Sequence, residues 1–131
     1  MNTPVSFELA KLLKEKHIKI DTEEVLFYRD EVNNIEEHQV KNRDVLYNYT
    51  GFGNYTLDEN EYQTYMISDV VMWLYEKHGI WISVDWTVFF KEKVWFYSIR
   101  QKNQSSKLKR LFNSPTEAYE AAITYTLTNL I

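Results

Sequence analysis

Three kinds of side chain in this sequence are equipped for chemistry: three histidines, a mid-strand aspartate, and aromatics interleaved with lysine and arginine. Histidine binds metals and moves protons near neutral pH. His17 and His78, however, each fall at the C-terminal end of a helical pattern, where capping and the helix dipole are the plainer explanation. Glu36-Glu37-His38 has half of a helical metal motif and lacks the second histidine of H-E-x-x-H, so it reads as a solvated turn. Asp85 shares a strand face with Trp81 and Thr87. Buried there it would be a general base with a raised pKa; on a half-exposed face it is a solvated carboxylate, and that is the reading adopted. The third group is Trp81, Trp86, Phe89, Trp95, Phe96 and Tyr97, with Lys91 and Lys93 between the strands and Arg100 at the end of the second. Aromatics alternating with basic residues on a sheet can stack bases while the cations hold phosphates. The competing reading makes one face core and fills the other with cross-strand aromatic pairs. Should both faces prove aromatic, the outer one is a binding surface or an oligomer contact.

Other motifs are missing. Gly51-Phe52-Gly53 lacks the lysine, the spacing and the following helix of a phosphate-binding loop, and no G-x-S-x-G nucleophile elbow occurs. Without cysteine there is neither a disulfide framework nor a thiolate metal site.

The elements that must position these residues centre on Thr64 to Arg100. Ile67, Val70, Val71, Leu74 and Tyr75 recur at helical spacing. Gly79 then stands where a left-handed residue ends a helix, and Ile80 is placed to fold back on Tyr75. From Ile80 the period becomes two: Ile80, Ile82, Val84, Trp86, Val88 and Phe90 share one face, and Trp81, Ser83, Asp85, Thr87 and Phe89 the other. Val94 to Arg100 supplies the second strand of a hairpin, joined through Lys91-Glu92-Lys93.

Upstream, Thr3-Pro4 reads as N-cap and N1 of a helix with a buried stripe of Val5, Leu9, Leu12 and Leu13. Residues 21–63 carry weaker signals: strands at Glu24 to Arg29 and Val45 to Tyr49, turns at Asp30 to Asn34 and around Gly51 to Asn54, and exposed acids from Asp58 to Glu61. Downstream, Gln101 to Lys109 has the composition of a mobile loop. Ser114-Pro115-Thr116-Glu117 is a capping box with proline at N1, opening a helix that buries Tyr119, Ala122, Ile123, Leu127 and Leu130. The expected fold is α+β: a single domain over residues 1–131, with three helices packed on a small antiparallel sheet around a central β-hairpin.

At 131 residues, 44% hydrophobic and 16% aromatic, the chain has material for a real core, which excludes a disordered protein. No apolar run approaches the ~20 residues of a membrane span and no signal-peptide core is present, so a soluble, cytoplasmic protein is expected. The net charge of −4 conceals an asymmetry. Residues 91–110 hold seven basic side chains against Glu92 alone, a local field suited to an anion or to plain solvation.

Three blocks, MNTPVSFELAKLLKEK, VVMWLYEKHGIWISV and NSPTEAYEAAITYTLTNLI, resemble small proteins encoded by phages and prophages of gut Bacteroides-type bacteria. The likeness covers roughly half the chain. It departs at His17, which replaces a helix-ending glycine, at Tyr65-Met66, which replaces a proline-threonine helix start, and throughout 21–63. The resemblance implies a setting and carries no catalytic or binding residues with it. Together these observations lead to an expected non-enzymatic accessory protein, without cofactor or metal, that binds a host protein or small ligand. Sequestering a defence component or a nucleotide signal is one concrete form. The binding residues expected are Trp81, Trp86, Trp95, Tyr97, Lys91, Lys93 and Arg100, with homo-oligomerisation through the hairpin left open. The alternative is a single-stranded nucleic-acid binder using the same aromatics and the 91–110 segment. The overall acidity weighs against it, because sequence-independent binding depends on neutralising phosphates.

Overall fold

In the computed structural model, residues 3–22, 25–30, 46–49, 57, 59–102, 104–107 and 110–131 are described. They form three helices and two three-stranded antiparallel sheets, an α+β architecture. The sequence pattern predicts one sheet. The second exists because Glu61–Thr64, too short and polar to signal a strand, pairs with Val25–Arg29 and so completes a sheet of its own. The chain divides into two compact units, Pro4–Tyr65 and the remainder, Met1–Thr3 with Met66–Ile131.

In the Pro4–Tyr65 unit, helix α1 (Phe7–Glu15) starts later than Thr3-Pro4 would place it. Val5 is held outside the helix: its N–H donates to the Tyr65 carbonyl, and its own carbonyl accepts from the hydroxyls of Tyr28 and Thr64. Ser6 is therefore the N-cap, its Oγ accepting from the Leu9 N–H at 3.3 Å. Phe7, Leu9, Ala10 and Leu13 are buried, while Leu12 is only partly so. At the other end His17 adopts φ 56°, and the N–H groups of His17 and Ile18 donate to Lys14 and Leu13. That is a Schellman stop with histidine in the left-handed position. Strand β1 (Val25–Arg29) lies between β2 (Leu46–Tyr49) and β3 (Glu61–Thr64), with α1 packed on β3. Phe7 meets Tyr28 and Tyr62 edge-on at 6.0 and 5.1 Å. Glu61, expected on an acidic surface, is instead buried and directly opposite Arg29, whose Nε lies 3.0 Å from its Oε2. The turn expected at Asp30 to Asn34 lies, past Asp30 itself, outside the described residues, as does the one at Gly51 to Asn54.

The other unit is built on the expected central segment. Helix α2 (Ile67–His78) buries Ile67, Val70, Val71 and Leu74, and its N-cap Met66 makes no side-chain cap bond. Gly79 closes it at φ 65°. Tyr75 is exposed rather than part of the stripe, its ring 5.5 Å from Trp81, while Ile80 is buried. Strands β4 (Ile80–Phe89) and β5 (Glu92–Gln101) form the hairpin. Its turn is Phe90-Lys91, both with positive φ (48° and 64°), so the loop is tighter than Lys91-Glu92-Lys93 suggests and begins earlier. This is the geometry of a type I′ turn, which normally selects Asn-Gly. The segment expected to be a mobile loop contributes β6 (Gln104–Lys107), reached through Lys102 at φ 53° and paired to β5. Its polar sequence carries no alternation by which an edge strand is recognised.

Helix α3 (Pro115–Asn129) packs on β4, β5 and α2 and buries Ala118, Ala122, Ile123, Thr126 and Leu127. The Ser114 Oγ accepts from the Glu117 N–H at 3.2 Å, and the Glu117 carboxylate accepts from the Asn113 N–H at 3.1 Å. The box thus closes on the residue before the cap rather than on the cap itself. Ser114→Ala is expected to lower stability by about 1 kcal/mol in urea unfolding, because one first-turn amide loses its acceptor. An unchanged midpoint would show that the cap does not hold this helix.

Candidate binding surface on the hairpin

Because side chains alternate across a strand, the β4–β5 register decides which aromatics meet. One face carries the opposed pairs Ile82/Ile99, Val84/Tyr97, Trp86/Trp95 and Val88/Lys93; the other carries Trp81/Arg100, Ser83/Ser98, Asp85/Phe96, Thr87/Val94 and Phe89/Glu92. Burial then divides the hairpin along its length. Near its base Ile80, Ile82 and Ile99 are core. Toward the turn, Trp86, Val88, Phe89 and Phe90 are 52%, 62%, 51% and 85% exposed. Both faces of the distal half therefore reach solvent.

The seven expected site residues separate accordingly. Trp86, Trp95 and Lys93 come together: the Lys93 ammonium lies 4.3 Å from the Trp86 ring centre and 5.4 Å from that of Trp95. This is a cation–π arrangement in which the ammonium occupies the ring faces. Tyr97 lies on the same face but is core, only 4% exposed and stacked on Phe112 at 6.1 Å. Burial pushes its hydroxyl above the ordinary tyrosine pKa, keeping it a neutral phenol. Trp81 and Arg100 sit opposite each other on the other face, at the base of the hairpin. Lys91 stands exposed in the turn.

Asp85 is exposed, and its Oδ1 accepts from the Trp86 N–H at 2.8 Å. His78 turns its ring toward Trp73, centroids 5.1 Å apart, and His38 lies outside the described residues. Among the described residues, no three histidine, aspartate or glutamate side chains converge. A hollow of about 310 Å³ beside the end of α1 is lined by Leu13, Lys14, His17, Ile18 and Tyr65 among others. The Lys14 ammonium there is already held by the carbonyls of Glu59 and Glu61. No helix among the described residues is long and apolar enough to cross a membrane.

Sequence reasoning does not single out Val88 and Phe90, which share a face with the core residues Ile80 and Ile82. A period of two identifies a face but not how far along the strand the core extends. The only available signal is the turn: with the loop at Phe90-Lys91, Val88 and Phe90 stand at the tip, farthest from the helices' attachment to the base. No family model matches the chain, and neither a curated protein nor a solved structure matches it.

Proposed function

We propose that the protein is a non-enzymatic binding protein whose distal hairpin engages another protein. The observation that supports this is the contiguous exposure of Trp86, Val88, Phe89 and Phe90. Aromatic and aliphatic side chains held on a rigid two-stranded arm, with cations at the margin, are the ingredients of an interface hot spot. The turn adds to the argument. Two residues other than glycine or asparagine are held at positive φ, a strain of about 1 kcal/mol or more apiece, so the tip side chains are kept at a cost to the fold. The resemblance to phage and prophage proteins supplies the setting, a host protein in the host cytoplasm. A protein partner suits the apolar tip better than a nucleotide signal, whose phosphates would call for converging donors.

The nucleic-acid alternative draws less support, since Lys93 covers Trp86 and Trp95 and Tyr97 is buried. The test compares the wild type with Phe89→Ser/Phe90→Ser as baits in host lysate, and measures a labelled single-stranded oligonucleotide by anisotropy. We expect a host protein retained by the wild type and lost with the double variant at equal melting temperature, and no oligonucleotide binding in low salt. Equal retention by both baits would overturn the tip as the interface. A salt-sensitive oligonucleotide complex abolished by Lys91→Glu/Lys93→Glu and by Trp95→Ala would replace this reading with the nucleic-acid one.

A further inference from the structure

Strand β4 is the outer strand of its sheet, whose order is β4-β5-β6. In an antiparallel ladder, opposed residues alternate between pairs that exchange both backbone bonds and pairs that exchange none. Two observations fix the alternation here. The two-residue turn makes Phe89/Glu92 a bonded pair, so Thr87/Val94 and Asp85/Phe96 are bonded too. Trp95 independently gives both its backbone bonds to Phe112, at 2.9 and 2.8 Å, so it has none to exchange with Trp86. Val84, Trp86 and Val88 therefore point their N–H and C=O groups away from β5. The Trp86 amide agrees, since it is free to bond the carboxylate of Asp85.

A bare strand edge is a template for another strand, and proteins commonly block it with lysine, proline or a bulge. From Val84 to Phe89 there is no lysine and no proline, and the register runs without a bulge. On this stretch of edge the Asp85 carboxylate rests on the Trp86 amide.

We propose that this edge pairs with β4 of a second copy of the chain, antiparallel about a two-fold axis at Trp86. The strand is self-complementary in that register. Trp86 meets Trp86, and Val84 meets Val88, giving an apolar row on one face. On the other face Asp85 meets Thr87 twice, each carboxylate leaving its own chain's amide for a hydroxyl of the second copy. The neighbouring registers are poorer. An axis at Val88 runs the pairing into the turn after one residue on each side. An axis at Val84 sets the exposed Trp86 against the buried Ile82 within the ladder, whereas with the axis at Trp86 the residue opposite Ile82 is Phe90, past the end of the strand. The pair joins the two sheets into one of six strands, with β4 beside β4 at its centre. This pairing does not rest on the partner-binding reading, but it sets Trp86 and Val88, two of the four exposed residues behind that reading, beside the second copy and leaves Phe89 and Phe90 at the tip.

The test is sedimentation equilibrium of the full chain, with backbone hydrogen exchange measured across a range of protein concentrations. A dimer is expected. As concentration rises, the amides of Trp86 and Val88 should slow by about tenfold or more, while those of Thr87 and Asp85, already bonded to β5, should not change. Val88→Pro should weaken the dimer by at least ~10-fold, because proline removes an outward donor and leaves the β4–β5 ladder intact. A wild type that stays monomeric at all concentrations overturns the proposal. So does a dimer without the alternating protection, or one that survives Val88→Pro with an unchanged melting temperature. Should Val88→Pro fail to fold, the exchange pattern of the wild type decides alone.

Discussion

Replacing Arg29 by alanine is expected to lower stability by about 3 kcal/mol, a loss far larger than that of an ordinary surface ion pair. The Glu61 side chain is only 3% exposed, so its charge has been taken almost wholly out of water. The Arg29 guanidinium, opposite it across β1 and β3, donates from Nε to Oε2 at 3.0 Å. Removing the guanidinium takes a counter-charge and a charge-assisted hydrogen bond from a carboxylate that is shielded from water. Urea unfolding measures the loss. Because the carboxylate is held out of water, Arg29→Met with Glu61→Leu, which replaces both charges by apolar groups, should recover most of it. A small effect of Arg29→Ala, below about 0.5 kcal/mol, would mean the pair does not hold the β1–β3 register.

The second large effect is a contrast within one strand. Ile82 and Val88 lie on the same face of β4, yet one is 1% exposed and the other projects beyond the core. Ile82→Ala should cost about 3 kcal/mol, combining lost transfer energy with a cavity between the hairpin base and the helices. Val88→Ala should cost less than about 0.5 kcal/mol in the monomer. Comparable losses at both positions would show that the distal hairpin is packed rather than free, and would remove the basis for a binding arm.

Where the sequence carries a local physical signal, the structure can be read from it. Ser114-Pro115 sets a helix start because serine offers an acceptor and proline needs none, and Gly79 sets a helix end because it takes positive φ without strain. The alternation from Ile80 assigns β4 its faces. What is not legible depends on distant partners. Thr3-Pro4 has the local form of a cap, but Val5 is claimed by Tyr65, Tyr28 and Thr64, so the helix waits for Ser6. Glu61 looks like surface until Arg29 is seen across the sheet. The hairpin turn is hidden because Phe90-Lys91 is not the pair that a type I′ geometry prefers. Of the expected site, the cluster of Trp86, Trp95 and Lys93 follows from parity once the turn is known, whereas the burial of Tyr97 depends on Phe112 packing over it.

The Pro4–Tyr65 unit is an excursion from the other unit's chain path. Its ends meet, with the Val5 N–H on the Tyr65 carbonyl at 2.9 Å. The flanking chain meets as well, with the Ile67 N–H on the Thr3 carbonyl at 2.9 Å. A segment whose entry and exit coincide leaves no gap for the host unit to span when it changes length or content. In genetic terms a segment with this geometry has the form of a cassette, joined to the rest of the chain through two adjacent ends.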